Sequence, residues 1–164
     1  MKTLLLLDVD GPLNPYASSN RIRKSDGYFK YKIEGFNVWL NDEHGPMLLK
    51  FAAENDLELV WATTWEHKAN EYIGWRIGLP ELPVIEFGFS GYNWKTDAIL
   101  EYAAGRELIW LDDDFRRFPE EMDAFKLKRA GVYTDCRIIS PKDGILASDL
   151  EAVLVDLNEH RNDK

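Results

Sequence analysis

The sequence predicts an α/β fold, a doubly wound and mainly parallel sheet with helices on both faces. Three observations carry this. Short apolar runs of strand length alternate with stretches of helical periodicity. The first run, Leu4–Leu7, is continuously apolar, as a strand buried on both faces must be. Polar residues gather where the runs end, and such sheets bind ligands just beyond the C-terminal ends of their strands.

Leu4–Leu7 is the first strand and stops at Asp8-Val9-Asp10-Gly11-Pro12. Residues 12–40 are rich in Pro, Asn, Ser, Gly and aromatics with weak periodicity, which predicts a loop carrying a β-hairpin (YFKYKIEGFNVWL) and no helix. From Asp42 to Glu54 the pattern is helical, with Met47, Leu48, Phe51 and Ala52 on one face. Leu57–Ala62 is a second strand, Glu66–Ile77 a helix, and PVIEF at 83–87 a short third strand. Trp94–Ala104 is helical again, and Glu107–Leu111 is a fourth strand ending at Asp112-Asp113-Asp114. Pro119 opens a helix to about Arg129. Val132–Ile139 is a fifth strand, and Ser148-Asp149-Leu150-Glu151 reads as a capping box opening a final helix.

A chain of 164 residues fits one domain, 1–164, in which 12–41 is a flap or loop insertion. The apolar fraction of 45% is ample for a packed core. A net charge of −9 argues against an extended nucleic-acid surface, which needs excess Lys and Arg. It leaves room for a small phosphorylated substrate or a single nucleic-acid end. Cys136 is the single cysteine, so no intrachain disulfide or Cys-rich metal site can form, and a reduced, cytoplasmic setting is expected. The apolar run after Lys2 is too short for a signal peptide, and no stretch approaches a membrane span.

The chemistry lies at the strand ends. Asp8 and Asp10, Thr63-Thr64, Lys95 and Asp112–Asp114 would all meet at one edge of the inferred sheet. Carboxylates gathered there repel one another unless a cation holds them. Hard oxygen donors suit Mg²⁺, which takes one or two carboxylates, waters and a substrate phosphate. A carboxylate beside a phosphate is a candidate nucleophile, and a lysine and a hydroxyl would hold the phosphate oxygens as charge builds.

LLLLDVDGPL resembles the first motif of the haloacid dehalogenase (HAD) superfamily of phosphohydrolases. LVWATT resembles its second motif, Lys95 in NWKTDAIL its third, and LIWLDDD its fourth in paired-aspartate form. Order and spacing match along residues 4–114. The resemblance implies a Rossmann-like fold and a Mg²⁺-dependent phosphatase working through an aspartyl-phosphate. It implies that Asp8 attacks phosphorus and that Asp10 protonates the leaving group and then activates water. Thr63 and Lys95 would bind the phosphoryl group, with Thr64 the alternative, since a one-residue slip swaps faces. Asp112 and Asp113 would hold Mg²⁺ with Asp8 and the Asp10 backbone carbonyl. Pro12 departs from the family's Thr or Val.

The pattern is similar to a compact subgroup that includes small bacterial and phage HAD domains, some linked to RNA-repair proteins. Residues 12–40 are too short for a folded cap domain, so an open site is expected, and by resemblance open sites favour bulky substrates. Arg21 and Arg23 belong to a basic, aromatic segment, RIRKSDGYFKYK, that would touch a polyanionic substrate as a flap or otherwise be a solvated hairpin. Trp65 and Trp94 lie nearest the site and could stack on a base. A monomer or weak dimer is expected. The rival reading is a phosphate- or metal-binding protein of the same fold without turnover. A receiver-type signalling domain is disfavoured because the acidic cluster follows both Thr63 and Lys95.

Overall fold

The structure is a computed structural model that describes residues 1–88 and 94–164. In chain order its strands are β1 (Thr3–Leu7), β2 (Phe29–Ile33), β3 (Phe36–Leu40), β4 (Leu57–Trp61), β5 (Leu108–Asp112) and β6 (Thr134–Ile138). Its α-helices are α1 (Asn20–Ser25), α2 (His44–Glu54), α3 (Thr96–Ala103), α4 (Pro119–Lys128) and α5 (Ala147–Asn162). The main sheet is fully parallel in the order β4-β1-β5-β6, and β2 and β3 form a separate antiparallel hairpin.

The four leucines of β1 divide between two cores, because successive side chains of a strand point to opposite faces. Leu5 and Leu7 pack with Leu48 and Phe51 of α2, Val38 and Leu40 of the hairpin, and Val153 and Leu157 of α5. Leu4 and Leu6 pack with Ile99 of α3 and with Met122 and Phe125 of α4. Both faces are thus covered, which is why the run from Leu4 to Leu7 is apolar throughout. β1 sits between β4 and β5, and the chain reaches β4 on one side before crossing to β5 on the other. The sheet's topological switch point therefore lies at the end of β1, where ligands bind in such folds.

Four elements differ from the sequence reading. PVIEF is not a strand: Val84 makes one parallel bridge to Trp61, through Trp61 N–H to Pro83 O (2.9 Å) and Ile85 N–H to Trp61 O (3.0 Å). Pro83 has no N–H to extend the ladder, and the chain leaves the edge at once. Residues 20–25, read as loop, form a helical turn and a half capped by Ser19, whose hydroxyl accepts the Ile22 N–H (3.2 Å). A local cap wins there, although no residue of the helix is buried. The helix read over 66–77 is instead a π-helical turn, Ala69–Ile73, followed by a 3₁₀ turn, Gly74–Ile77. The widened turn carries Asn70, whose amide bonds both the carbonyl and the N–H of Leu82 (2.8 and 3.0 Å). The last helix begins at Ala147, so Ser148 lies inside it, and Asp149 alone reaches back to the Leu146 N–H (2.7 Å).

The predicted hairpin is present. Its turn, Glu34-Gly35, has φ of 52° and 82°, the two left-handed residues that a tight two-residue hairpin turn requires. No large cap is present among the described residues. No helix among them is long and apolar enough to cross a membrane.

Candidate active site

The floor of the site is built from strand ends. The Asp8 N–H donates to Leu111 O (3.2 Å), which ties the end of β1 to β5. The Asp8 carboxylate accepts the Val9 N–H (2.8 Å) and the Thr63 hydroxyl, and its Oδ2 lies 3.2 Å from Lys95 Nζ. Lys95, just before α3, also donates to Asp112 Oδ2 (2.7 Å) and to the Ala62 carbonyl (3.1 Å). Asp112, fully buried at the end of β5, accepts two donors at each oxygen. Oδ1 takes the Asp113 and Asp114 N–H groups (2.8 and 3.1 Å), and Oδ2 takes Lys95 and the Trp110 indole N–H (3.3 Å).

Electrostatics make this floor a site under tension. Burial opposes the charge on Lys95, but Asp8 and Asp112 outweigh it, and its pKa is raised. Burial pushes Asp8 up to about 7 against the pull of Lys95. Asp113 is pushed up to about 6, again by burial, with Asp112 and Asp114 adding repulsion. Asp8, Asp112 and Asp113 can each bring an oxygen within 4.8 Å of the others. One lysine does not neutralise that group, whereas a hard divalent cation would. The donor set, all carboxylate oxygen, fits Mg²⁺ in chemistry.

The rim is built from loops. Asp10 is not in that carboxylate group: its Oδ1 accepts Asn14 Nδ2 (2.9 Å) and its Oδ2 the Trp65 indole N–H (3.0 Å). The Tyr16 hydroxyl donates to Asp113 Oδ2. Gly11, at φ +97°, lets Asp113 approach: a Cβ there would lie 2.5 Å from Asp113 Cγ. A cavity of about 730 Å³ opens from Asp8 and Lys95, with Thr64, Trp65, Arg117 and the hairpin residue Phe36 in its walls.

The structure thus brings together Asp8, Thr63, Lys95, Asp112 and Asp113, and sets Asp10 and Thr64 on the cavity wall. Thr63 is buried against Asp8, while Thr64 lines the cavity. Arg21 and Arg23 are not brought to it. Arg21 is exposed on α1, and Arg23 lies 5.1 Å over the Trp39 ring and donates to the Ser18 carbonyl. Neither lines the cavity: α1 leaves Arg21 in solvent and sets Arg23 on Trp39 of the hairpin. Trp94 is stacked within the protein on Phe118 (4.6 Å) and Trp110 (5.1 Å), which takes up the ring area a base would need. Cys136, half-buried in β6, has its thiol pushed up to about 12 by burial and so stays unreactive.

Sequence reasoning missed Asn14, Tyr16 and Gly11 as parts of the site. Asn14 and Gly11 follow the Asp-x-Asp so closely that their local role was readable. Tyr16 gives no such signal, since its partner is 97 residues away.

Nothing among curated proteins or solved structures matches the chain. A family match covers residues 4–138, from β1 through β6, and so takes in the floor, the rim and the hairpin. The family is described as the HAD domain in Swiss Army Knife RNA repair proteins, and the chain belongs to it.

Proposed function

We propose that this chain is a Mg²⁺-dependent phosphomonoesterase that works through an aspartyl-phosphate on Asp8 and takes a phosphate at a nucleic-acid end. The single observation that supports it best is Asp8 at the sheet's switch point. It is held by Lys95 at 3.2 Å and by Thr63, beneath an open cavity. The acidic chain suits brief contact with one end rather than a long polyanion. The family's description as part of RNA repair proteins supports that substrate class.

Asp8 and Asp113 are the residues that would hold Mg²⁺ directly, with the Asp10 backbone carbonyl. Asp112, already saturated by four donors, holds Lys95 in place. When bound, Mg²⁺ supplies positive charge to the phosphoryl oxygens and keeps the carboxylates ionised. Asp8 attacks phosphorus in line with the ester oxygen, so a P–O bond forms to its carboxylate as the bond to the leaving group breaks. Asp10 gives its proton to the departing oxygen, then removes one from the water that hydrolyses the acyl phosphate. Lys95 and a Thr63 or Thr64 hydroxyl stabilise the phosphoryl charge from fixed positions.

The test is phosphate release from an aryl phosphate, nucleotides, sugar phosphates and oligonucleotides phosphorylated at either end. Each is run with Mg²⁺, with chelator, and with Asp8→Asn. Turnover that requires both Mg²⁺ and Asp8 and is fastest on an oligonucleotide end is expected. No turnover in folded, metal-bound protein would instead make the chain a binding protein of the same fold.

A further inference from the structure

The Asp10 carboxylate is held at both oxygens, and both holds lead to the hairpin. Asn14 donates to Oδ1 through Nδ2, and its own Oδ1 accepts the Trp39 N–H of β3 (3.0 Å). Trp65 donates to Oδ2, and its ring makes a T-shaped contact with Phe36, at the start of β3, with centroids 6.2 Å apart and planes at 73°. The tip of the hairpin is tied to the same side by Lys68, whose Nζ lies 3.0 Å from Glu34 Oε2. Phe36 is itself 65% exposed, so burial of its own surface does not account for where it sits.

A carboxyl that must protonate a leaving oxygen has to present one oxygen to it at hydrogen-bond distance. A carboxyl on a loop beyond a strand end turns freely about its side-chain torsions unless something fixes it. Here two donors, one to each oxygen, fix the plane of the group. They come from residues 4 and 55 positions away. We infer that Trp65 and Asn14 are positioning residues for Asp10, and that through them the β2–β3 hairpin is a working part of the proton-transfer apparatus rather than only a wall of the cavity. This rests on the acid/base role proposed for Asp10.

Leaving-group dependence tests it. An alkyl phosphate needs a proton as its alkoxide departs, whereas 4-nitrophenolate leaves well without one. The kcat/KM value covers steps up to leaving-group departure and is blind to the later hydrolysis of the acyl phosphate. It is measured with Mg²⁺ for both esters in the wild type, Trp65→Phe and Asn14→Asp. A positioned acid contributes about 10²–10⁴-fold, so losing one of its two holds should cost about 10-fold or more in the ratio of alkyl to aryl kcat/KM. The two variants combined should lose less than the product of their separate effects, since they act on one group.

Equal losses on both esters, or no loss on either, would overturn the inference in favour of a structural role. If one variant does not fold, the other gives the same reading. Loss of turnover in Asp8→Asn with an unchanged ester ratio in Trp65→Phe would leave the phosphatase reading standing and remove this one. Failure of the wild type on both esters would remove both. An independent arm needs no turnover: in the metal-free protein the Trp65 indole N–H resonance should shift in Asp10→Ala. No shift would mean that the bond is not formed.

Discussion

The floor and the rim of the site are a few ångströms apart, yet they are built by different rules. The floor, made of Asp8, Thr63 and Asp112 at strand ends with Lys95 just before α3, is buried and hydrogen-bonded throughout. The rim, made of Asp10, Asn14, Tyr16, Trp65 and the hairpin, hangs on loops and is partly open. Strand ends are placed by two cores at once and cannot move without disturbing both. Loop residues are placed by a few separate hydrogen bonds, some local and some to distant partners. The floor should therefore fail as a unit when one member is changed, and the rim should fail by degrees.

Lys95→Met is the largest break expected. It leaves Asp8 and Asp112 buried without their shared cation, and removing one partner of a buried ion pair typically costs about 3–5 kcal/mol. Urea unfolding in chelator should show a loss of that order, and turnover with Mg²⁺ should fall by about 10²-fold or more. A variant as stable as the wild type would mean that the floor is not the cooperative unit described.

Gly11→Ala probes the joint between floor and rim. The added methyl would sit 2.5 Å from Asp113 Cγ, and alanine is strained at φ +97°. Asp113 must shift, and disturbing the support of a metal ligand typically lowers affinity by about 10- to 100-fold. Calorimetric titration of Mg²⁺ should show that weakening, with no charge changed. Unaltered affinity would free Asp113 from the metal site.

The same contrast decides how much could be read from the sequence. Leu4–Leu7 followed by Asp8 announces a buried strand and the carboxylate at its end, because local pattern and local position carry the whole message. Asp112 is readable for the same reason, and Lys95 only through its likeness to the third family motif in its place in the motif order. Val84 and residues 20–25 are not. One depends on a proline at a sheet edge, the other on a single serine cap, and neither alters hydrophobic periodicity enough to register. Arg21 and Arg23 show the cost of reading composition where placement decides. The segment is basic and aromatic, but α1 turns it away from the cavity. Trp65 was legible as a neighbour of the site, but its indole N–H on Asp10 was not, since that bond spans 55 residues.

The smallest effect sharpens the comparison through pH, because the acids of the site and a buried histidine outside it should respond with opposite sign. Outside the site, His44 is buried at the start of α2, its ring and that of Tyr28 nearly perpendicular with centroids 5.6 Å apart. Burial lowers its pKa from 6.5 to about 4. Between those values the unfolded chain binds the proton and the folded chain does not. His44 therefore contributes stability above about pH 6.5 that is lost as pH falls toward 4. Asp8 and Asp113 are raised from 3.8 to about 7 and about 6, so there the folded chain binds the extra protons. Their contribution grows on acidification and is lost as pH rises through those values. In chelator the two carboxylates outweigh the one histidine between pH 4 and 6, so the wild type should gain stability on acidification with a net slope of about one proton, at most about 1.4 kcal/mol per pH unit. His44→Gln removes the opposing histidine, so the variant should gain stability on acidification about twice as steeply as the wild type. Saturating Mg²⁺ keeps the carboxylates ionised and removes the other side, so the wild type should then lose stability as pH falls. Urea midpoints across this range in chelator and in Mg²⁺ measure both. Parallel curves for variant and wild type would show that His44 is not held neutral.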